Sequence, residues 1–588
     1  MKTNFLKTLL IALLPICAVS CVDNIPEETV LPRDAVSFDY YINPNSLPDP
    51  KYYLDFYVDS EITFVNTSPE NTEGDIVWDF GDGTPTESVI SDTVYHRYSE
   101  AGTFKVTLTI GDKKKVQSIM IAPIKPIVKV IYSDEVLEVR STLVTFEVEL
   151  PNPDGKTATF NWTFPADTKN ENGDDYPTFE GKDVTDLPAP VKFSHVGSQQ
   201  VRLDVTLGGE ALEPTFLNVQ VAYNEAVPTL YYAVVGGNIK AHKLTGGKEP
   251  EDMNIESYDL GVASGQHPLN ILFSAVDTNL YVLDAGKQFY YVNDVSGVLG
   301  DGKISVVSRD GSKVQTVISN VGQAAFDDPF YGYIEGEDLY YANRNTGMVK
   351  MPLTDREKVY SLSEYPWYVQ QATLGYYNNG WGFGTIGGMF GKINNVWHWT
   401  RFYNGNGIYR FLDSDILPAA VAKGDESNVP FYDPELKKST GILLEGMAPK
   451  SFVYIPSSEK ICVHIMDAGY NGFYACTYDS LVAVGASKNA LKPYAVTFDG
   501  KMFESNTTGN LPAKEGTGSE AIGICQMTYD KENDCVYFAY RNNAPGGEGK
   551  FPPSGIYCYH VADGAVTCLV EGVEAYGVAV NNYTAKLF

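Results

Sequence analysis

Between residues 224 and 588 one short unit keeps returning: an apolar run, a polar turn, then a second apolar run. It is seen in ILFSAVDTNLYVLD (271–284), AAFDDPFYGYIEGEDLYYAN (324–343), SFVYIPSSEKICVHIM (451–466), ICQMTYDKENDCVYFAY (524–540) and YGVAVNNYTAKLF (576–588). A lone hairpin cannot bury its own apolar face, but a stack of hairpins can, so each unit reads as the inner hairpin of a propeller blade. At about 40 to 50 residues per blade, 224–588 holds six to eight blades; seven is preferred and six stays open. TLYYAVVGGNIKAHKL (229–244) has no partner hairpin before it, and AYGVAVNNYTAKLF (575–588) has none after it. Pairing the two in one blade closes the ring and removes both open strand edges.

The front of the chain has a different texture. IVWDFGDGTP (76–85) combines aromatic, acidic and glycine residues in a way that suggests either a metal site or a turn. Strand alternation sends Val77 and Asp79 one way and Ile76, Trp78 and Phe80 the other. GDG then turns the chain, with glycines for positive φ and Asp82 as a cap on local N–H groups. TFKVTLTI (103–110) alternates again and closes an antiparallel pair.

A second copy follows in ATFNWTFPADT (158–168), VKFSHVGSQQVRLDVTLGG (191–209) and TFLNVQV (215–221). It places Trp162 where Trp78 stood but lacks the acidic Gly-Asp-Gly turn. What both copies keep is what a fold needs. Two close carboxylates also fall short of the six to eight oxygens that calcium takes, so no metal is assigned to Asp79 and Asp82. The pattern WDFGDGT, HRY, AGTFKVTLTI resembles the polycystic-kidney-disease (PKD) domain, an immunoglobulin-like β-sandwich, over residues 35–124. The second copy is a degenerate PKD-like domain at 125–223. The fold class expected is all-β: tandem sandwiches, then the propeller. The 40 Tyr and 28 Phe suit pleated strands, and 53 Gly and 33 Pro supply turns.

The N-terminus is a targeting segment. MKTNFLKTLLIALLPICAVSC has Lys2 and Lys7, an apolar run from Leu9 to Ile16, and small residues directly before Cys21. The run is too short to span a bilayer. AVSC resembles a bacterial lipobox, which implies a signal peptide at 1–20 and lipidation of Cys21, with 21–34 as an acidic tether. The protein is then expected on a membrane by its lipid. The net charge of −30 has the wrong sign for a phosphate backbone, so nucleic acid is not an expected partner.

Six further thiols lie in the last third. Cys462/Cys476, Cys525/Cys535 and Cys558/Cys568 each bracket one hairpin, so three cross-strand disulfides are one reading and buried thiols the other. In CYHVADGAVTC, a three-residue Ala562-Asp563-Gly564 loop with left-handed Gly564 pairs Val561 with Ala565 and sets Cys558 opposite Cys568. There is no CxxC and the seven His are scattered, so the spacing does not suggest zinc.

Four of the six Trp fall in 365–411, among Tyr, Gly and Asn. Trp367, Tyr368, Trp381, Arg401 and Tyr403 are the candidate ligand residues, because flat aromatics with polar tips suit sugar rings or extended peptides. In GKINNVWHWTRF (391–402), alternation puts Trp397 and Trp399 on one face, where they would fill blade core, and His398 on the other. No GxSxG, HExxH or phosphate loop is present, and no catalytic residue or cofactor is assigned.

Lipobox, PKD-like domains and propeller together resemble the PKD-like lipoproteins of the Bacteroidota. That resemblance implies an accessory of SusC/SusD-type outer-membrane uptake systems that captures a glycan or peptide, or docks a partner protein, without turnover. The acids after Cys21 are loosely like that phylum's surface-export signal, so the cell surface is the expected location and the periplasmic face the alternative. The rival functions are a propeller-based polysaccharide lyase or hydrolase and a purely structural transporter subunit.

Overall fold

The computed structural model describes residues 35–42, 56–70, 72–85, 87–133, 136–223, 228–244, 257–286, 301–319, 328–343, 347–359, 367–370, 387–401, 407–413, 432–433, 435, 438–439, 441–466, 470–484, 488–505, 523–542 and 549–581. The chain divides into two compact units: 1–135 with 141–194 and 198–220, and 221–588 with 136–140 and 195–197. Nearly all of the regular structure is strand. No described helix is long and apolar enough to cross a membrane.

The first unit holds two sandwiches. In the first, a sheet of Phe38–Ile42, Ile62–Asn66 and Thr93–His96 faces a sheet of Glu87–Val89, Ile76–Asp79, Gly102–Ile110 and Lys113–Ile121. Alternation along Gly102–Ile110 buries Val106, Leu108 and Ile110 between the sheets. Trp78 is buried there, edge-on to Phe38 at 5.1 Å. The second sandwich repeats the plan, with Trp162 on Ala158–Thr163 and Phe146 on Thr145–Glu149. The two Trp sites superimpose in kind. Trp78 and Phe80 lie 6.3 Å apart and 6° from parallel; Trp162 and Phe164 lie 6.2 Å apart, also at 6°. Arg97 pairs with Asp154 and Lys156 with Asp59, joining the sandwiches by half-exposed ion pairs. Pairs of that kind contribute little energy.

The acidic stretch is a turn in detail. Gly81 and Gly83 have φ of 76° and 85°. A Cβ on Gly81 would sit 2.4 Å from the Lys105 carbonyl oxygen, so the close approach also requires glycine. Asp79 accepts from the Gly81 N–H (2.9 Å), and Asp82 accepts from the Thr84 N–H (3.1 Å) and hydroxyl (2.6 Å). The other Asp82 oxygen meets His96 Nε2 at 2.7 Å, and the Tyr98 hydroxyl donates to the Phe80 carbonyl at 3.0 Å. Burial works against the Asp82 charge, but the Thr84 and His96 bonds outweigh it and hold the carboxyl below its ordinary 3.8. A depressed folded value means stability that is present above pH 3.8 and is lost as pH falls through the lower folded value. The Asp82→Asn variant is therefore expected to be less stable at neutral pH, and the gap to the parent should shrink below about pH 4 in pH-stepped urea titrations. A gap that stays constant with pH would refute the assignment.

The second unit is a propeller. Six sheets of four or five strands are found among the described residues. Their inner strands are Ala575–Val580, Pro268–Phe273, Pro329–Glu335, Gly387–Ile393, Pro449–Ile455 and Gly523–Asp530, in blades 1 to 6. Each inner strand touches the next, and blade 6 touches blade 1, so the ring is closed. Closure is the predicted one: Thr229–Val234 pairs with Ala575–Val580, so both ends of the segment share blade 1. Seven blades, the preferred count, is corrected to six. The unit uses more chain per blade than a minimal repeat because it inserts the ribbon Tyr432–Asp433/Lys438–Ser439, a helix at Tyr478–Val484 and a 3-10 helix at Lys488–Tyr494.

Polar side chains, most of them buried, tie blades together around the ring. Gln526 of blade 6 accepts from the N–H of Val578 (3.0 Å, blade 1) and of Ile271 (2.9 Å, blade 2), and donates to the Ile271 carbonyl (2.7 Å). Asn270 accepts from the Gly332 N–H (3.0 Å), and Lys392 pairs with Glu335 (2.6 Å). Thr400 donates to the Lys450 carbonyl (3.1 Å) and Ser451 to that of Ile524 (2.7 Å). Inner strands approach too closely for their backbone groups to be reached by water, so Gln526, Asn270, Thr400 and Ser451 satisfy them instead. Gly577 and Gly388 mark close approaches between blades, where a Cβ would stand 2.7 Å from the Ile271 nitrogen and 2.4 Å from the Lys450 carbonyl oxygen.

Of the two readings of the cysteines, the disulfide one does not match the register. Cys462 pairs across with Ala475, and Cys476 with Ile461. Cys558 pairs with Thr567, and Cys568 with Tyr557, because the loop after His560 is one residue longer than predicted. An offset of one residue turns the two side chains to opposite faces of the sheet. Cys525 and Cys535 likewise enter different cores. All six thiols are free in this structure.

Candidate functional site at the mouth of the propeller

The inner hairpin of every blade has a register break at the start of its inner strand. A bulge there twists the strand and re-aims one side chain at the rim where all six inner strands begin. The quasi-equivalent positions hold Leu269, Phe330, Met389, Lys450, Cys525 and Tyr576 in blades 2 to 6 and then 1. Blades 2, 3 and 4 thus present apolar groups, whereas blades 5, 6 and 1 present an amine, a thiol and a phenol.

Around those three the rim collects further polar groups. Arg541, at the end of the blade 6 strand Cys535–Arg541, is buried. Its Nε and Nη2 reach one oxygen of Glu574 (3.1 and 2.9 Å), and its Nη1 donates to the Tyr576 hydroxyl (2.6 Å). The Tyr576 ring lies 5.8 Å from the ring of His267, which opens blade 2. His267 is held by Asp284, which accepts its backbone N–H (2.8 Å), and by contact of Nδ1 with the Gly286 carbonyl (2.6 Å). On the other side, Lys450 is fully buried. Burial pulls its pKa down, the Cys525 thiol pushes it back up, and Arg541 lowers it further. His464 is driven down to about 3 by burial and then by Lys450, so it is neutral at physiological pH. Its Nε2 meets the Phe503 carbonyl at 3.2 Å. The result is an arc of amine, guanidinium, phenol and imidazoles drawn from four blades. Such an arc can hold an acidic or hydroxyl-rich group against a low-dielectric floor.

Of the sequence-predicted ligand residues, Tyr368 alone has a described side chain. Trp381 and Tyr403 lie outside the described residues, as does Cys21; Trp367 and Arg401 are described only as backbone, in the strands Trp367–Gln370 and Val396–Arg401. Tyr368 is packing between blades 3 and 4: its ring meets Tyr340 edge-on at 5.1 Å and Trp397 at 5.9 Å, and its hydroxyl bonds Asp413. Asp413 also accepts from Trp397 Nε1 at 2.7 Å. Trp397 and Trp399 share one buried face, while His398 turns to Phe452 and Tyr478 on the other. Sequence reasoning missed Lys450, Arg541 and Tyr576. The signal was present in the aligned strand starts: Pro268-Leu269, Pro329-Phe330 and Pro449-Lys450 put a charge where two equivalent blades hold an apolar group.

Residues 59–120 match the PKD domain family, in agreement with the Trp78 sandwich. No curated protein matches the chain. Among solved structures, a quinonprotein alcohol dehydrogenase-like protein from Bacteroides thetaiotaomicron is 13% identical, over 76% of this chain and 96% of that one, with a TM-score of 0.35. A DUF4784 family protein from Bacteroides caccae is 10% identical over 77% and 98%, at 0.29. Kuenenia stuttgartiensis hydrazine synthase is 11% identical over 53% and 68%, at 0.24. Likeness at this level transfers no activity to this chain. The chain is a β-rich protein with a PKD domain and a propeller.

Proposed function

We propose that this protein is a non-catalytic lipoprotein of the outer membrane, anchored through Cys21, whose propeller binds a nutrient glycan or peptide for an uptake system. In this reading the sandwiches are a spacer and the propeller mouth is the binding face. The arc of Lys450, Arg541, Tyr576 and His267 at one end of a closed ring carries it. The arc favours ligands with a carboxylate, such as uronate-containing glycans or acidic peptides, over neutral ones.

Calorimetry against paired neutral and acidic glycans and peptides tests this. Replacing Lys450 by the isosteric Met removes the charge without opening a cavity, so the fold is expected to survive. Affinity for acidic ligands is expected to fall about 10- to 100-fold, the worth of one hydrogen bond to a charged group. A parent that binds nothing in the panel, or a Lys450→Met protein that binds like the parent, overturns the reading. Co-purification with an outer-membrane transporter in the first case would favour the structural-subunit alternative.

One observation favours an enzyme instead: a buried amine with a lowered pKa beside the Cys525 thiol is a pairing suited to proton transfer. New reducing ends, unsaturated sugars or new amines after incubation with the panel would establish that reading in place of binding alone.

A further inference from the structure

Blade 6 carries a separate cluster at the opposite rim, where its inner strand ends. The register pairs Asp530 with Cys535, and Cys535 with His560, across three adjacent strands. Cys558 lies two residues before His560 on the same strand, so both point to the face that Cys535 occupies. The two sulfurs and a ring nitrogen of His560 all lie within 4.8 Å of one another. Cys535 Sγ is 3.5 Å from His560 Nδ1, while Nε2 of the same ring meets the Thr567 hydroxyl at 3.0 Å. A partner on the far nitrogen fixes the ring and its tautomer, which is how metal-binding imidazoles are held. Across the pair from Cys558 stands the buried Tyr537. Both cysteines are buried and His560 is half-buried, so the cluster has one side toward solvent.

We propose that Cys535, Cys558 and His560 form a binding site for a thiophilic metal ion of filled d shell, Zn²⁺ or Cu⁺. Two thiolates and an imidazole match these ions and not the hard cations Ca²⁺ and Mg²⁺, which take oxygen donors. Loading releases the thiol protons to solvent. Three protein donors leave one position beside Tyr537 and Asp530 for water or a further ligand. The site is independent of the mouth and of the proposed binding role.

The full chain, reduced and stripped of metal, is titrated with Co²⁺ as a spectroscopic stand-in for Zn²⁺, and with Zn²⁺ and Cu⁺ against chromophoric chelators. A single equivalent is expected, with thiolate-to-cobalt charge-transfer absorption. Cys535→Ser and Cys558→Ser should each remove that absorption and weaken binding by at least about 100-fold, whereas Thr567→Val should cost about tenfold. Cys568→Ser, on the opposite face, should bind like the parent. The tighter of Zn²⁺ and Cu⁺ identifies the ion. The proposal falls if the parent binds none of the three more tightly than the Cys535→Ser/Cys558→Ser double variant. It also falls if mass spectrometry finds a Cys535–Cys558 disulfide in the exported protein. Should the serine variants fail to fold by circular dichroism, the cobalt spectrum of the parent alone decides.

Discussion

A chain ended before Ala575 is expected to lose its propeller. The missing strand is the inner strand of blade 1, and Ala575, Tyr576, Val578, Ala579 and Val580 are all buried in the parent. Tyr576 and the two valines alone contribute about 1.5–3 kcal/mol each by burial. Their loss removes a large part of a typical net stability of about 5–15 kcal/mol. The truncation also strands two buried bonds: Gln526 loses the Val578 N–H, and Arg541 loses the Tyr576 hydroxyl. Thr229–Val234 is left as an unpaired edge, which invites association between chains. Urea titration followed by circular dichroism should show the propeller transition gone, and size exclusion should show aggregates. A truncated chain that stays monomeric and unfolds at the parent's midpoint would disprove closure through blade 1.

Trp78→Ala and Trp162→Ala are each expected to cost about 3–5 kcal/mol, the range for emptying a large aromatic site in a core. Both rings are buried and stacked on a Phe two residues on, in the same geometry. Neither indole N–H has a hydrogen-bond partner among the described residues, so packing supplies the energy. Trp→Phe at either site should therefore retain much of the stability. Differential scanning calorimetry reads the outcome as a lowered sandwich transition with the propeller transition unmoved. A loss below about 1 kcal/mol at either site would mean that the core collapses around the gap, and that Trp is not what holds the sheets apart.

Local pattern made the sandwiches readable. Trp78, the positive-φ glycines and the capping Asp82 all sit within seven residues, and their bonds are to near neighbours or to the adjacent hairpin. The hairpins of the propeller were legible for the same reason, and the shared first blade followed from two ends that each lacked a partner. Register was less legible. The loop at 561–564 needed one more residue than the turn rule allowed, and that single residue turned Cys558 and Cys568 apart. The six blades lie within the expected six to eight, and the preferred seven was one too many because insertions such as Tyr478–Val484 lengthen the repeat without changing its strand pattern.

By itself the sequence determined the class of structure: two sandwiches built on Trp78 and Trp162, and a ring of hairpins closed by its own last strand. Alternation, turn residues and unpaired ends are local properties, and they act over distances that a reader of the chain can see. Only the tertiary structure decided which side chains share a site. Lys450, Arg541 and Tyr576 come from three blades and reach one rim because bulges turn Lys450 and Tyr576 there and the strand Cys535–Arg541 ends there; Cys535, Cys558 and His560 meet because of strand register. Both are consequences of backbone pairing between segments far apart in the chain, where a shift of one residue sends a side chain to the other face.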